Sequence, residues 1–159
     1  MKINIRPATA QDVKQMHALI NHYAKEREML PRSLNSIYEN LQEYLVAMDG
    51  KKLAGCCALH VSWEDLAEVK ALAVDQNTRG KGVGTKMVLA CHKNALKLGI
   101  HKVFCLTYRP GFFEKLGYKQ ISRDELPHKV WGECINCPHF PDCGEVPLIV
   151  DLSAKTKKR

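Results

Sequence analysis

Residues 79–84 read Arg-Gly-Lys-Gly-Val-Gly, and they separate a strand pattern at 66–74 from a helix pattern that begins at Val83. Glycine at alternate positions lets the backbone adopt positive φ and approach a ligand closely. The helix start adds N–H groups without intrahelical partners and the positive end of the helix dipole. With the charges of Arg79 and Lys81, these features favour an anion site suited to a pyrophosphate. Glycines alone are more typical of an ordinary strand-to-helix turn.

Two common nucleotide-binding motifs do not fit this stretch. A Walker loop ends in Gly-Lys-Ser/Thr, whereas Gly84 is followed by Thr85 and then Lys86. A Rossmann fingerprint lies in the first strand–helix–strand unit of its domain, with an acidic residue about 20 positions later. Here the glycines come in mid-chain, after several strand patterns.

The flanking sequence predicts an α/β (α+β) domain of order β-α-α-β-β-β-α-β-α-β-β. Thr9 to Asp12 is a capping-box pattern for the first helix, and Asp49-Gly50 is a hairpin turn. The strand–helix–strand crossover at 66–107 requires a parallel pair within a mostly antiparallel sheet. The predicted strands are 2–6, 44–48, 53–61, 66–74, 102–107, 118–122 and 146–152. The first predicted helix starts at the capping box of residues 9–12 and runs to about 26, and the others are 36–43, 83–98 and 110–117.

The composition indicates one globular domain, which we place at residues 1–152. No stretch approaches the ~20 apolar residues of a membrane span, and the start lacks the apolar core of a signal peptide. We therefore expect a cytoplasmic protein without a membrane partner. The formal charge is +7, but four of the basic residues lie in the tail at 153–159, which argues against nucleic acid as a partner.

Three segments together resemble the signature of the GNAT superfamily of N-acetyltransferases. They are Glu-Val-Lys-Ala-Leu-Ala-Val at 68–74, the glycine stretch at 79–84, and Phe-Phe-Glu-Lys-Leu-Gly-Tyr at 112–118. The superfamily pattern is Arg/Gln-x-x-Gly-x-Gly/Ala after a strand, followed about 30 residues later by a helix that carries two aromatic residues. The resemblance covers nearly the whole chain and implies a single GNAT domain whose cosubstrate is acetyl-CoA.

The same resemblance implies a role for each coenzyme-side residue. Backbone groups of 72–74 would pair with the pantetheine arm, and N–H groups of 79–85 would hold the pyrophosphate. The strands at 66–74 and 102–107 would splay apart around the thioester, with a backbone N–H near Leu72 at the oxyanion. The implied coenzyme-binding residues are Leu72, Ala73, Val74, Arg79, Gly80, Lys81, Gly82, Val83, Gly84, Thr85 and Phe113.

Four further stretches resemble the acetyltransferase domain of N-acetylglutamate synthases, and the short single-domain type most closely. They are residues 67–74, 106–109, 125–131 and 147–152. This implies transfer of acetyl from acetyl-CoA to the amine of L-glutamate, the first step of arginine biosynthesis. The resemblance to GNAT enzymes, which are often dimers, also implies a homodimer as one possible assembly.

The acceptor side needs cations, because glutamate carries two carboxylates. Lys70, Arg109 and Lys129 are the candidates, and Arg109 follows directly on a buried strand pattern. Each is also compatible with a solvated surface cation. Two alternative hypotheses for the function are acetyl transfer to a different acceptor (another amino acid, a polyamine or a protein N-terminus) and a non-catalytic acetyl-CoA or redox sensor.

Glu68 is the candidate general base, since it lies on the coenzyme strand and simple alternation places it on the face of Leu72. A structural carboxylate is the alternative. The general acid is less clear: many GNAT enzymes use a tyrosine of the aromatic pair, but Phe113 stands there and has no proton to donate. Tyr108 or Tyr118 are substitutes, and a thiolate can also leave unassisted.

Seven cysteines divide into two groups. Cys56, Cys57, Cys91 and Cys105 lie in apolar runs and are typical of core residues. Cys134, Cys137 and Cys143 fall in an insertion at about 128–145, where the Cys-x-x-Cys spacing predicts a structural zinc site with His128 or His139 as fourth ligand. An iron–sulfur site, free thiols and a reversible disulfide are the alternatives.

Overall fold

Seven strands form one mixed sheet in the computed structural model, which describes residues 2–126 and 145–153. Their spatial order is β1-β2-β3-β4-β5-β7-β6, and β4–β5 is the parallel pair while the other neighbours run antiparallel. This confirms the predicted fold class and element order. The strands are β1 (Ile3–Pro7), β2 (Tyr44–Asp49), β3 (Lys52–Trp63), β4 (Leu66–Val74), β5 (Lys102–Thr107), β6 (Lys119–Gln120) and β7 (Val146–Asp151).

Helices cover both faces of the sheet. The apolar faces of α1 and α2 pack against the sheet to form one hydrophobic cluster, and α3 packs against it to form a second. The helices are α1 (Val13–Lys25), α2 (Leu34–Glu39), α3 (Val83–Lys97) and α4 (Pro110–Glu114). Among the described residues, no helix is long and apolar enough to span a membrane.

The clearest differences from the predicted boundaries are in α2 and β6. Helix α2 begins two residues earlier than expected, because the Ser33 side chain accepts a hydrogen bond from the Ser36 backbone N–H at 3.0 Å and caps it. It ends at Glu39, and residues 41–43 form a separate 3₁₀ turn. The strand predicted at 118–122 shortens to the two residues of β6.

The parallel strands β4 and β5 pair only at their beginnings. Pairing runs from Leu66 opposite Lys102 to Glu68 opposite Phe104, and it stops there. Beyond that point β4 stays with β3, while β5 stays with β7. The predicted splay is therefore present, and it opens a gap between residues 69–74 and the end of β5.

A β-bulge at Ala71 corrects one expectation. Between the Cys56–Ala73 and Ala58–Lys70 pairs, β4 holds one residue more than β3, and Ala71 adopts a φ of 55°. The extra residue reverses the alternation along the strand. Val69 packs under α3 with Leu72, so Glu68 lies on the opposite face from Leu72. The prediction that Glu68 and Leu72 share a face is therefore wrong, because it assumed that side chains alternate along β4 without interruption.

The predicted capping box at Thr9–Asp12 is present and is tied to the sheet by Arg6. The Thr9 N–H donates to Asp12 Oδ2 at 2.8 Å, and the Arg6 guanidinium bonds both carboxylate oxygens at 2.8 and 3.0 Å. Asp12 has a side chain that is only 6% exposed. The hydrogen bond from Arg6 is the main reason why the pKa of Asp12 falls from 3.8 to about 2.

This pair predicts an acid-sensitive contribution to stability. Because the folded pKa lies below the unfolded value, the contribution is complete above about pH 4 and is lost as the pH falls through about 2. We expect Asp12→Asn to lower the free energy of unfolding by about 2 kcal/mol at pH 7 and by much less near pH 2. Urea denaturation at both pH values measures this. The control is Asp49→Asn, an exposed site where Asn-Gly keeps the hairpin turn; an equal loss in both variants would contradict the assignment.

Candidate active site

A cavity of about 470 Å³ fills the gap between the splayed strands. Its walls come from β4, the end of β5, the start of α3, the start of α4 and the segment between α1 and α2. It therefore collects residues from most of the chain around one opening in the sheet. A ligand pocket at the point where strands part is a common position in α/β proteins.

The glycine loop forms one wall. Gly80 and Gly82 both have a φ of 80°, a conformation that side-chain-bearing residues rarely adopt, and Gly82 caps α3. The first bond of the helix runs from the Lys86 N–H to the Gly82 carbonyl at 3.0 Å, so the preceding N–H groups point out of the helix start. The cavity is lined here by Arg79, Gly80, Gly82, Val83, Gly84 and Thr85, whereas Lys81 is exposed and is not among the lining residues.

The open edge of β4 forms the opposite wall. Leu72, Ala73 and Val74 all line the cavity, as expected of a strand that would pair with an extended ligand. The Val74 carbonyl already accepts a hydrogen bond from the Tyr23 hydroxyl at 2.5 Å. Tyr23 comes from α1 and was not selected from the sequence, because a tyrosine at helical spacing is typical of a core residue.

Glu68 lies where the strands separate. It is 9% exposed and lines the cavity. His60 is directly opposite it in the β3–β4 register, and the Nδ1 atom of His60 contacts Glu43 Oε2 at 2.6 Å. Facing residues in a non-bulged antiparallel pair have their Cβ atoms about 5 Å apart, so a carboxylate–histidine pair stands beside Glu68.

Two of the three predicted acceptor cations reach the cavity. Lys70 and Arg109 line it, and the Arg109 backbone N–H donates to Thr107 Oγ1 at 2.9 Å, which holds the residue at the start of α4. Lys129 lies outside the described residues. Its role stays a prediction.

Sequence analysis missed two charged residues in the segment between α1 and α2. Glu28 lies within 3.1 Å of Arg109 and 3.3 Å of Arg79, and Arg32 lines the cavity nearby. Asn21 in α1 holds the Arg32 backbone from both sides, with its amide donating to the carbonyl at 2.8 Å and accepting from the N–H at 3.2 Å. The only signal in the sequence was a charged loop after a helix, and such loops often carry function.

Neither candidate donor for the leaving thiolate is among the described residues that line the cavity, although Tyr108 lies between two that do, Thr107 and Arg109. Tyr108 is half-buried and is not one of the lining residues. Tyr118 is buried in the core, where its hydroxyl bonds His92 Nε2 at 2.7 Å and burial raises its pKa. Phe113 lines the cavity and packs edge-to-face against Phe112 and Tyr118.

The two cysteine groups have different outcomes. Cys56, Cys57, Cys91 and Cys105 are all buried, which confirms that they are core residues. Cys134, Cys137 and Cys143 lie outside the described residues, as do His128 and His139. Within residues 2–126 and 145–153, no group of His, Cys, Asp and Glu is arranged to hold a metal ion. The zinc site stays a prediction.

Comparison with known proteins identifies the family. Residues 40–120, which include the glycine loop and the aromatic helix, match the acetyltransferase (GNAT) domain. The chain belongs to the GNAT acetyltransferase family. This GNAT domain is 34% identical to an uncharacterized N-acetyltransferase of Chlorobaculum tepidum over 148 residues, which are 93% of this chain and 96% of that protein.

Other relatives of the GNAT domain carry a more specific name. It is 34% identical over 132 residues to the amino-acid acetyltransferase of Mycobacterium tuberculosis, covering 81% of this chain and 75% of that one. The N-acetylglutamate synthase of Neisseria gonorrhoeae, solved with coenzyme A and N-acetyl-glutamate, superposes with a TM-score of 0.88 at 25% identity. That match covers 96% of this chain and 35% of the longer synthase.

A second solved structure has similar length. It is a Mycobacterium tuberculosis protein in complex with CoA, and it superposes with a TM-score of 0.82 at 29% identity, covering 94% of this chain and 99% of the other. These relationships show that the chain is an acetyl-CoA-dependent N-acetyltransferase of the GNAT type, and several of its relatives are named amino-acid acetyltransferase.

Proposed function

We propose that this GNAT domain transfers the acetyl group of acetyl-CoA to the α-amine of L-glutamate, the reaction that opens arginine biosynthesis. The observation that carries the proposal is the set of cationic side chains that line the same cavity as Glu68. Arg32, Lys70 and Arg109 all line it, and each comes from a different part of the chain. Guanidinium and ammonium groups are the usual partners of carboxylates. Among the described lining residues, four cations (Arg32, Lys70, Arg79 and Arg109) stand beside three carboxylates (Glu28, Glu68 and Glu145), whereas a polyamine would favour an excess of carboxylates.

The residues on the other side of the cavity fit the cosubstrate. The start of α3 offers N–H groups and the positive end of a 15-residue helix to a pyrophosphate. A Cβ atom at Gly80 or Gly82 would meet nothing within 4 Å, so these positions leave open space beside the backbone. The edge of β4 at 72–74 offers backbone groups to an extended arm. When bound, acetyl-CoA supplies an acetyl group activated as a thioester.

Glu68 is the proposed general base. It would accept the proton of the acceptor ammonium, directly or through one water, so that the neutral amine attacks. The bulge at Ala71 reverses which backbone groups of β4 face the gap, and we assign a backbone N–H near Leu72 to the developing oxyanion. We propose that the thiolate leaves without a tyrosine donor and takes up the second proton of the attacking nitrogen, directly or through water. Tyr118 is buried in the core against His92, and Tyr108 is not one of the lining residues.

A cysteine lies in the cavity wall, and its chemistry supports direct attack by the amine. Cys105 lines the cavity but is 1% exposed. Burial raises its pKa, and the nearby carboxylates of Glu68 and Glu145 raise it further. The side chain therefore stays a neutral thiol, which is a poor nucleophile compared with a thiolate. This disfavours an acetyl-cysteine intermediate.

The proposal is tested by thiol release from acetyl-CoA with glutamate, glutamine, aspartate, lysine and spermidine as acceptors. We expect saturable turnover with glutamate to exceed that with every other amine by at least about tenfold in kcat/KM, because only glutamate presents two carboxylates at this spacing. If kcat/KM were highest with lysine or spermidine, glutamate would no longer be the assigned acceptor. Coenzyme binding without turnover on any amine would favour the sensor function.

A further inference from the structure

One carboxylate oxygen in the cavity is shared by two arginines that belong to different parts of the proposed site. Glu28 Oε2 lies 3.1 Å from Arg109 Nη2 and 3.3 Å from Arg79 Nη2. Arg79 begins the glycine loop on the coenzyme side, and Arg109 stands at the start of α4 on the acceptor side. All three residues line the cavity. Glu28 therefore bridges the two halves of the site.

The surroundings keep Glu28 at this place. The Arg79 guanidinium also lies over the Tyr23 ring, 4.5 Å from its centroid, and the Tyr23 hydroxyl is fixed on the Val74 carbonyl. On the other side, the segment that carries Glu28 is anchored at Arg32 by Asn21. Glu28 is 32% exposed, and the two arginines are 37% and 57% exposed. The contacts are thus partly solvated and are weak enough to be exchanged.

Both arginines are the proposed partners of anionic groups on the two ligands. A pyrophosphate at the glycine loop would draw Arg79, and a carboxylate of the acceptor would draw Arg109. Each ligand must then take its arginine away from Glu28. A substrate carboxylate that enters beside Glu28 also meets a like charge at short range, which costs binding energy until the glutamate swings aside.

We propose that Glu28 is a specificity-determining residue that competes with the anionic groups of both ligands. This rests on the proposed function for its acceptor half, while its coenzyme half depends only on the family. The competition lowers the affinity of the site for each anion. It also selects among acceptors: a side-chain amide, as in glutamine, can donate an N–H to Glu28, whereas the carboxylate of glutamate is repelled.

The coenzyme half is tested with Glu28→Gln and direct binding of CoA by calorimetry, with no acceptor present. Removing the charge should raise CoA affinity about two- to fivefold, the range expected for a partly exposed ion pair. Glu26→Gln is the matched control, since it removes the same charge two residues away at an exposed position outside the cavity. In an Arg79→Ala background, Glu28→Gln should no longer raise affinity, because the competed cation is gone.

The acceptor half is tested by steady-state kinetics of the same variants. Glu28→Gln should lower KM for glutamate about two- to fivefold and should lower KM for glutamine by less, so that the ratio shifts toward glutamate. An unchanged or weakened CoA affinity, or a glutamate KM that rises, would show that Glu28 holds the arginines in their working positions, and would overturn the proposal. If the wild-type protein acetylates no amino acid, the proposed function fails. The CoA affinity of Glu28→Gln would still test whether Glu28 competes with the coenzyme for Arg79.

Discussion

Glu68→Gln is expected to lower kcat for the acceptor reaction by about 10²- to 10⁴-fold, the usual contribution of a positioned general base. The amide keeps the size of the side chain but has no place for the proton of the substrate ammonium. Because Glu68 lies where β4 and β5 separate, and not on the glycine loop, CoA affinity should stay within about twofold of the wild-type value. Thiol-release assays at saturating substrate measure the change in kcat, and calorimetry measures the CoA affinity.

Glu64→Gln is the control for this experiment. It makes the same chemical change four residues earlier, at an exposed position in the turn before β4. A second readout is the pH profile: raising the pH should restore part of the lost rate in Glu68→Gln, because more of the substrate amine is then already neutral. A kcat within about twofold of wild type would remove Glu68 from the mechanism, whatever the acceptor.

The second large effect is expected at Arg109. Arg109→Ala should raise KM for glutamate about 10- to 100-fold, the loss that follows removal of a hydrogen bond between charged groups in a partly enclosed site. The KM for acetyl-CoA should change by no more than about threefold, since Arg109 comes after β5 and is not part of the glycine loop. Arg109→Lys should recover only part of the loss, because a single ammonium cannot reproduce the two-pronged contact of a guanidinium with a carboxylate.

The comparison needs a matched cation. Lys97→Ala removes one positive charge at the exposed far end of α3, and it controls for the long-range attraction of anionic substrates. Acceptors without a side-chain carboxylate provide an internal check, because they should lose less than glutamate does. If KM rose equally for every acceptor, Arg109 would have a structural role in the site and would not recognise the side-chain carboxylate.

The element order was predictable because local signals mark most of its boundaries. Asp49-Gly50 turns β2 into β3, and the glycine stretch ends one pattern of alternation before a helical period begins at Val83. The coenzyme side of the site followed from the same stretch, since helix start and glycines lie next to each other in the chain. Six of the seven residues from Arg79 to Thr85 line the cavity, and Lys81, the exception, is exposed. Alternation along the loop does not reveal which side chains face away.

The acceptor side was predictable only in part. Arg109 follows a buried strand, and its position there is a local property of the sequence. Glu28 and Arg32, and also Tyr23 on the coenzyme side, come from α1 and the segment after it, and only the fold brings these residues to the cavity. Nothing in their immediate neighbours distinguishes them from an ordinary core tyrosine and two surface charges.

By itself, the sequence determined that this chain has a strand–glycine loop–helix unit inside a mixed sheet, because periodicity, turn residues and glycines act over a few neighbouring positions. Only the tertiary structure decided that Ala71 bulges and puts Glu68 and Leu72 on opposite faces, since an alanine at positive φ has no sequence signal and depends on pairing with β3. The tertiary structure also decided that Glu28 stands between Arg79 and Arg109. Such ion pairs arise between residues that only the folded chain brings together, so no local pattern encodes them.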